Sequence, residues 1–210
     1  MTNDDATLTD LARRLNDDYR PGKRPGLPPA FFITDQAAMP DPVGVLRRLP
    51  EGFGVIFRDY DHPARAELGR ILGAQCRERG LIFLVAAADL AAELSADGVH
   101  LPEGLMDRAP DIRKTHPGWM ITAACHDRAA VCRAAQLSLD AGLAAPVFPT
   151  DSHPETHSGG RKTLGVSGLR ALVAATDMPL YALGGVTRET AQGLRGVGVA
   201  GLAAIRGFAE

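Results

Sequence analysis

The chain has 210 residues, of which 45% are hydrophobic and 23% are charged, and its formal net charge is −2 at pH 7. This length and composition fit a globular protein with a substantial core, either one α/β barrel or one to two smaller domains. The near-neutral charge argues against nucleic-acid or membrane binding, so we expect a small-molecule partner, no nucleic acid and no membrane.

The three cysteines, Cys76, Cys125 and Cys132, are odd in number and lack the CxxC spacing of metal sites. They predict free thiols in a reducing compartment. The chain has no run of 18 apolar residues, and its acidic start does not resemble a signal peptide. We therefore expect a cytoplasmic protein.

The first predicted element is a helix over residues 7–19, with Thr9 or Asp10 as its N-terminal cap. Residues 21–29, PGKRPGLPP, follow as an extended linker. The predicted organisation is therefore an N-terminal helix and linker over 1–29 and one domain over 30–210.

Short apolar runs then alternate with amphipathic stretches such as 62–80 and 166–176. The runs cover residues 30–34, 53–58, 81–85, 98–101, 119–124, 143–148, 180–183 and 201–205. Near-continuous apolar strands separated by helices are typical of a parallel sheet covered on its faces. Eight of them predict a single (β/α)8 TIM barrel, with a doubly wound sheet as the alternative.

After the eighth run only RGFAE remains, so the last outer helix is truncated. Either the N-terminal helix or a partner subunit would cover the apolar strip that this leaves. A homodimer is therefore one expectation.

In a (β/α)8 barrel the active site lies at the carboxyl ends of the strands. Because side chains alternate along a strand, Arg58, His100 and His126 are predicted to point inward at these ends. The same alternation turns Cys125 outward, which argues against a Cys125–His126 catalytic pair.

The segment LGGVTRET (183–190) follows the seventh run. Gly184 and Gly185 allow close approach of backbone to a ligand, and the start of the next helix would attract an anion. Barrels often bind phosphate after strands 7 and 8, so Arg206 is a further candidate. The alternative is a tight turn that needs glycine only for its backbone conformation.

The loop at 149–163 follows the sixth run and carries hydroxyls, histidines and two basic residues. Long loops of this kind are often lids over a site, which makes Thr150, Ser152 and His153 candidate substrate contacts. The alternative is a solvated polar loop. Pro154 argues against His153 and His157 forming a helical metal pair.

His126 has three interpretations. It is a packed histidine bonded to backbone, a metal ligand, or a general acid/base at the mouth of the barrel. No carboxylate or histidine lies near it with ligand spacing, so metal ligation is the weakest of the three.

Five segments together resemble the thiamine phosphate synthase and thiazole tautomerase family. They are FFITD (31–35), ADGVHL (96–101), ITAACHD (121–127), APVFPTDS (145–152) and ALGGV (182–186). The resemblance runs from about residue 30 to 208 and implies a (β/α)8 barrel that binds a thiazole phosphate at the GG loop and strand 8. It also implies one of two reactions. A synthase joins hydroxymethylpyrimidine diphosphate to the thiazole with Mg²⁺, whereas a tautomerase moves a proton without metal.

The departures from the synthase pattern fall mainly on its charged positions. Ala86 and Leu105 stand where that pattern has its Mg²⁺ carboxylates, and His153 stands where it has a lysine. Ala124 and Arg206 replace serines. Small apolar side chains cannot ligate Mg²⁺, so we expect no metal and no other cofactor.

The first hypothesis from the sequence is a metal-free, tautomerase-like enzyme. Gly184 and Gly185, helped by Arg206, would hold the phosphate, while His126 transfers the proton and Arg58 meets the substrate carboxylate. The first alternative is a divergent thiamine phosphate synthase in which Asp89, Glu103 or a substrate phosphate recruits Mg²⁺. The second is a non-catalytic protein that binds thiamine phosphates.

Overall fold

The computed structural model describes residues 6–19, 26–152, 154–160 and 162–208. Its eight strands are all parallel and close into a barrel in chain order, so β1 pairs with both β2 and β8. Helices cover the outside, which is the arrangement of a (β/α)8 barrel. The predicted fold is therefore confirmed, and the doubly wound alternative is wrong.

The strands match the apolar runs except at the sixth. They are β1 (Ala30–Ile33), β2 (Gly54–Phe57), β3 (Ile82–Val85), β4 (Gly98–Leu101), β5 (Met120–Cys125), β6 (Ala141–Ala144), β7 (Leu180–Leu183) and β8 (Gly201–Ala204). The sixth run was predicted at 143–148, but the strand ends at Ala144 because Pro146 has no N–H for the ladder. The next residues turn toward β7, where Val147 and Phe148 donate to the carbonyls of Leu183 and Gly184.

The described residues form eight α-helices. They are α1 (Leu8–Asp18), α2 (Pro42–Leu46), α3 (Arg65–Glu78), α4 (Ala88–Glu93), α5 (Ala109–Thr115), α6 (Arg128–Gln136), α7 (Gly165–Val173) and α8 (Arg188–Gln192). A 3₁₀ helix over Glu103–Arg108 follows β4, and a shorter one over Pro154–Thr156 lies in the loop after β6. No helix in the described ranges has the length and hydropathy needed to cross a membrane.

The apolar side chains divide into two layers, as the alternation along each strand requires. Ile56 packs inside the barrel with Phe31, Leu84 and other inward residues, and Phe31 and Tyr181 meet edge to face. The residues on either side of Ile56 pack outward against the helices. A filled interior leaves ligand space only at the barrel ends.

The N-terminal helix α1 covers the outside of the barrel beside β1 and β8. It contacts β8, β1 and α8, and its Leu11 and Leu15 are buried. Burying each leucine contributes about 1.5–3 kcal/mol before the entropy of ordering the chain. Asn16 fixes the position of α1 by donating from Nδ2 to the carbonyl of Ala200 at 2.8 Å.

The N-terminal cap of α1 differs from the prediction. Thr7 is the cap, and its side chain accepts from the backbone N–H of Asp10. The Asp10 carboxylate accepts in return from the backbone N–H of Thr7, which completes a capping box. Asp10 is therefore the third helical residue rather than the cap, and Thr9 is not the cap either. Of the predicted linker at 21–29, residues 21–25 lie outside the described residues.

Candidate functional site

A cavity of about 650 Å³ opens at the carboxyl ends of the strands. Its volume lies within the usual range for small-molecule sites. Its walls include every predicted site residue that the structure describes: Arg58, His126, Thr150, Ser152, Gly184, Gly185 and Arg206. His153 lies outside the described residues. The structure thus brings the candidates together, while their roles stay predictions.

His126 follows β5 and lines this cavity. Its Nδ1 lies 2.7 Å from the carbonyl oxygen of Ala145. Because a carbonyl only accepts, Nδ1 carries the hydrogen, and Nε2 of the neutral ring keeps its lone pair. The ring is therefore bonded to backbone on one side and is a proton acceptor on the other.

Arg58 follows β2 and also lines the cavity, but its charge already has a partner. Its Nη2 lies 2.6 Å from Oδ2 of Asp35, which follows the neighbouring β1. The backbone N–H of Arg58 donates to the hydroxyl of Thr34 at 3.1 Å. The ion pair with Asp35 fixes the guanidinium and reduces the positive charge that a ligand would meet.

His100 lies on β4 at the floor of the cavity and is almost completely buried. Its Nδ1 is 2.9 Å from the hydroxyl of Thr122 on β5. Burial, assisted by the positive charge of Arg58, lowers the pKa of His100 from 6.5 to about 4. The ring is therefore neutral near pH 7 and acts as a hydrogen-bonding group rather than a cation.

The two glycines after β7 form the part of the wall best suited to a phosphate. Gly184 and Gly185 have φ of +93° and +61°, a conformation that favours glycine. A Cβ on Gly184 would lie 2.9 Å from Cα of Pro146, so this wall also has no room for a side chain. Within the described residues their backbone N–H groups have no acceptor, which leaves them available to an anion.

Arg206 follows β8 and is held by an acid that the sequence reasoning missed. Its Nη1 lies 2.8 Å from Oδ2 of Asp151, in the loop after β6. The other oxygen of Asp151 lies 3.1 Å from Nε2 of His157. All three side chains line the cavity. Asp151 therefore pairs with the arginine that the sequence assigned to phosphate.

The loop after β6 is folded on itself through Thr156. The hydroxyl of this buried residue accepts from the backbone N–H of Thr150 at 2.8 Å. Thr150 and Ser152 reach the cavity wall next to Asp151. The sequence signal for Asp151 is its place inside the segment APVFPTDS, between the hydroxyl residues Thr150 and Ser152.

The residues at the expected metal positions do not fit Mg²⁺, which takes oxygen ligands. Ala86 is buried, and the neighbouring Asp89 is exposed and lies outside the cavity wall. Leu105 is 45% exposed and offers no oxygen from its side chain. In the described ranges no three acidic, histidine or cysteine side chains form a group that could hold a metal ion.

Comparison with known proteins gives one consistent family. A family model described as thiamine monophosphate synthase matches residues 30–208. A thiamine-phosphate synthase from Chlorobium luteolum is 32% identical over 185 residues, covering 86% of this chain and 85% of that protein. Another from Levilactobacillus brevis is 30% identical over 194 residues, covering 86% and 87%.

The solved structures agree with the sequence comparison. A thiamine phosphate pyrophosphorylase from Pyrococcus furiosus aligns with a TM-score of 0.72 and 28% identity, over 86% of each chain. The family match at residues 30–208 spans all eight strands and the strand ends that surround the cavity.

Proposed function

The chain belongs to the thiamine monophosphate synthase family, and we propose that it is a divergent thiamine-phosphate synthase acting on a thiazole phosphate and a pyrimidine diphosphate. The observation that carries the proposal is the extent of the family match, which spans residues 30–208 and so every strand end around the cavity. Relatives of matching length are named synthases, which supports the coupling reaction over the tautomerase.

The thiazole phosphate would bind at the carboxyl ends of β7 and β8. Gly184 and Gly185 offer backbone N–H groups there, and Arg206 offers a guanidinium once Asp151 releases it. Hydrogen bonds from N–H groups to an anion are stronger than neutral ones, so this cluster would fix the phosphate firmly. The thiazole ring would then extend toward the middle of the mouth.

In the coupling reaction, the bond between the pyrimidine methylene carbon and the diphosphate oxygen breaks. The thiazole nitrogen forms the new bond to that carbon, and the electron pair of the broken bond leaves with the diphosphate. Arg58 lines the cavity and, held by Asp35, would meet the departing group with its remaining N–H donors. His126, when protonated, would donate from Nε2 to the same group.

This proposal assigns no step to a metal held by the protein, because the residues at the expected ligand positions do not fit one. Asp89, one of the acids considered for this role, is exposed and outside the wall. Any divalent cation would therefore have to arrive with the diphosphate.

The second candidate is the metal-free, tautomerase-like reaction that we favoured from the sequence. It has the weaker support from relatives, but one contact favours it: Nδ1 of His126 donates to Ala145, so Nε2 is the ring nitrogen left to exchange a proton with a ligand. His126 would then transfer the proton of a thiazole carboxylate phosphate, with Arg58 near the carboxylate.

The experiment supplies the purified protein with each substrate set in turn. We expect thiamine phosphate to form from the pyrimidine diphosphate and the thiazole phosphate. EDTA should slow this reaction only by removing a divalent cation that is bound to the diphosphate. Aromatisation of the thiazole carboxylate phosphate, abolished by His126→Asn, with no coupling would instead favour the second candidate. Tight binding of thiamine phosphate by calorimetry without either turnover would reject both reactions.

A further inference from the structure

Glu103 is a carboxylate in the cavity that the proposed function does not yet use. It begins the 3₁₀ helix after β4 and lines the cavity wall. Its Oε2 accepts from the backbone N–H of His126 at 2.9 Å. No cation pairs with it, and no second hydrogen bond reaches it, in the part of the chain that the structure describes.

The topology places Glu103 across the mouth from the phosphate-binding residues. The strands follow chain order around the closed barrel, so β4 lies opposite β8. Arg206 and the two glycines therefore form an anion-binding side, and Glu103 with His126, Pro102 and Ala124 forms a carboxylate side. One cavity thus presents groups for an anion on one side and a negative charge on the other.

A carboxylate in this position needs a partner. Partly buried charges are costly unless they are paired or hydrogen-bonded, and Glu103 has one bond for two oxygens. The contact with His126 fixes the carboxylate, so its remaining capacity to accept is already oriented when a ligand arrives. Its unpaired oxygen would accept N–H groups or positive charge and repel a carboxylate placed against it.

We propose that Glu103 is a specificity-determining residue that binds the amino-substituted pyrimidine ring of the second substrate. The inference rests on the proposed synthase function. The carboxylate accepts from the exocyclic amino group, and its negative charge stabilises the positive charge that develops on the pyrimidine methylene carbon as the diphosphate leaves. The same charge disfavours a ligand that carries a carboxylate on this side.

The direct test measures ring binding without phosphate or turnover. Calorimetry would compare an uncharged aminopyrimidine alcohol with its 4-oxo analogue, using the wild-type protein and Glu103→Gln. The amide keeps an oxygen for the His126 N–H and removes the charge. We expect the aminopyrimidine to bind about 10- to 100-fold more weakly to Glu103→Gln, the range for losing a hydrogen bond to a charged group.

The matched control is Asp89→Asn, which removes an exposed carboxylate in the first turn of α4, outside the cavity wall. We expect it to bind the aminopyrimidine as the wild type does. Both variants should bind inorganic phosphate unchanged. In the coupling assay, Glu103→Gln should raise KM for the pyrimidine diphosphate and leave KM for the thiazole phosphate unchanged, a separation that a loss of folding would not give.

Equal binding of the aminopyrimidine by Glu103→Gln and wild type would overturn the inference, as would a wild-type protein that does not distinguish the amino ring from the oxo ring. Failure of the proposed function reads differently. Absence of coupling together with ring binding that depends on Glu103 would reject the synthase and keep the binding role. Coupling with an unchanged KM for the pyrimidine diphosphate in Glu103→Gln would keep the synthase function and reject the binding role of Glu103.

Discussion

The two sides of the cavity mouth differ in the groups that they offer to a ligand. The anion-binding side after β7 and β8 keeps two glycines in the backbone conformation that leaves their N–H groups available. The side after β2, β3 and β4 has Arg58 tied to Asp35, a buried Ala86 and an exposed Leu105. Phosphate recognition is therefore better supported than metal-dependent chemistry.

The difference also shows why a binding site made of backbone groups and one made of side chains are not equally easy to recognise in a sequence. A phosphate cradle made of N–H groups depends on glycines, and any side chain there meets neighbouring backbone. A metal site depends on two carboxylates, each of which one substitution removes without disturbing the barrel. A phosphate site of this kind is recognised from a short glycine motif. The loss of a metal site is recognised only from the absence of its carboxylates.

The largest expected effect comes from Gly185→Ala, which would damage the anion-binding side directly. The new Cβ meets Pro149 and Phe148, and alanine is strained at φ +61°. We expect a loss of about 2–5 kcal/mol in the free energy of unfolding and phosphate binding weakened by about 100-fold. Urea unfolding and calorimetry with inorganic phosphate measure the two effects.

The control for this change is Gly104→Ala, in the 3₁₀ helix after β4. A Cβ there has nothing within 4 Å, so stability and phosphate binding should stay close to wild type. If Gly185→Ala binds phosphate as tightly as Gly104→Ala does, the phosphate does not bind at the glycines.

The alternation along each strand was sufficient to predict much of this arrangement. It placed Ile56 inside the barrel, turned Cys125 outward and brought His126 to the mouth, because those directions depend only on the strand period. It failed at β6, where Pro146 ends the ladder before the apolar run is over.

The partners of the charged residues were beyond the reach of the sequence. Asp35 and Arg58 are 23 residues apart, and Asp151 and Arg206 are 55 apart. These pairs exist because all the parallel strands end at one mouth, and no local pattern in the sequence encodes the distance between their ends. The contact of Glu103 with the His126 N–H arises in the same way from neighbouring β4 and β5.

The next effect is expected from His100, at the floor of the cavity. Because the pKa of His100 falls from 6.5 in an exposed chain to about 4 in the fold, the unfolded state binds the proton more readily between these values. Stability from the neutral ring is complete above pH 6.5 and is lost as pH falls toward 4. The total is roughly 3 kcal/mol, at about 1.4 kcal/mol per pH unit.

The measurement is urea unfolding at several pH values between 7 and 4.5, on the wild type and His100→Gln. Glutamine keeps a group that can bond to Thr122 and does not titrate. We expect the variant to lose less stability than the wild type as the pH falls. Identical pH dependence in the two proteins would contradict a buried neutral His100.

A smaller effect is expected from Arg206→Gln. Removing the guanidinium takes one charged donor from the anion-binding side and leaves the glycine N–H groups in place, so phosphate should bind about 10-fold more weakly. Calorimetry at two salt concentrations tests this, because the loss should shrink as salt screens the charge. An effect as large as that of Gly185→Ala would mean that the arginine, and not the backbone, dominates phosphate binding.

The smallest effect has the opposite sign and separates Asp151 from the residues it contacts. Asp151 forms an ion pair with Arg206 in the structure. Because both side chains are substantially exposed, the pair itself contributes little to stability. Asp151→Asn removes the competing charge, and we expect phosphate to bind about 3-fold more tightly, a gain of roughly 0.6 kcal/mol. The gain should vanish in Asp151→Asn combined with Arg206→Gln, because nothing is then left to release. If Asp151→Asn weakens phosphate binding instead, the carboxylate positions the arginine for the ligand and does not compete with it.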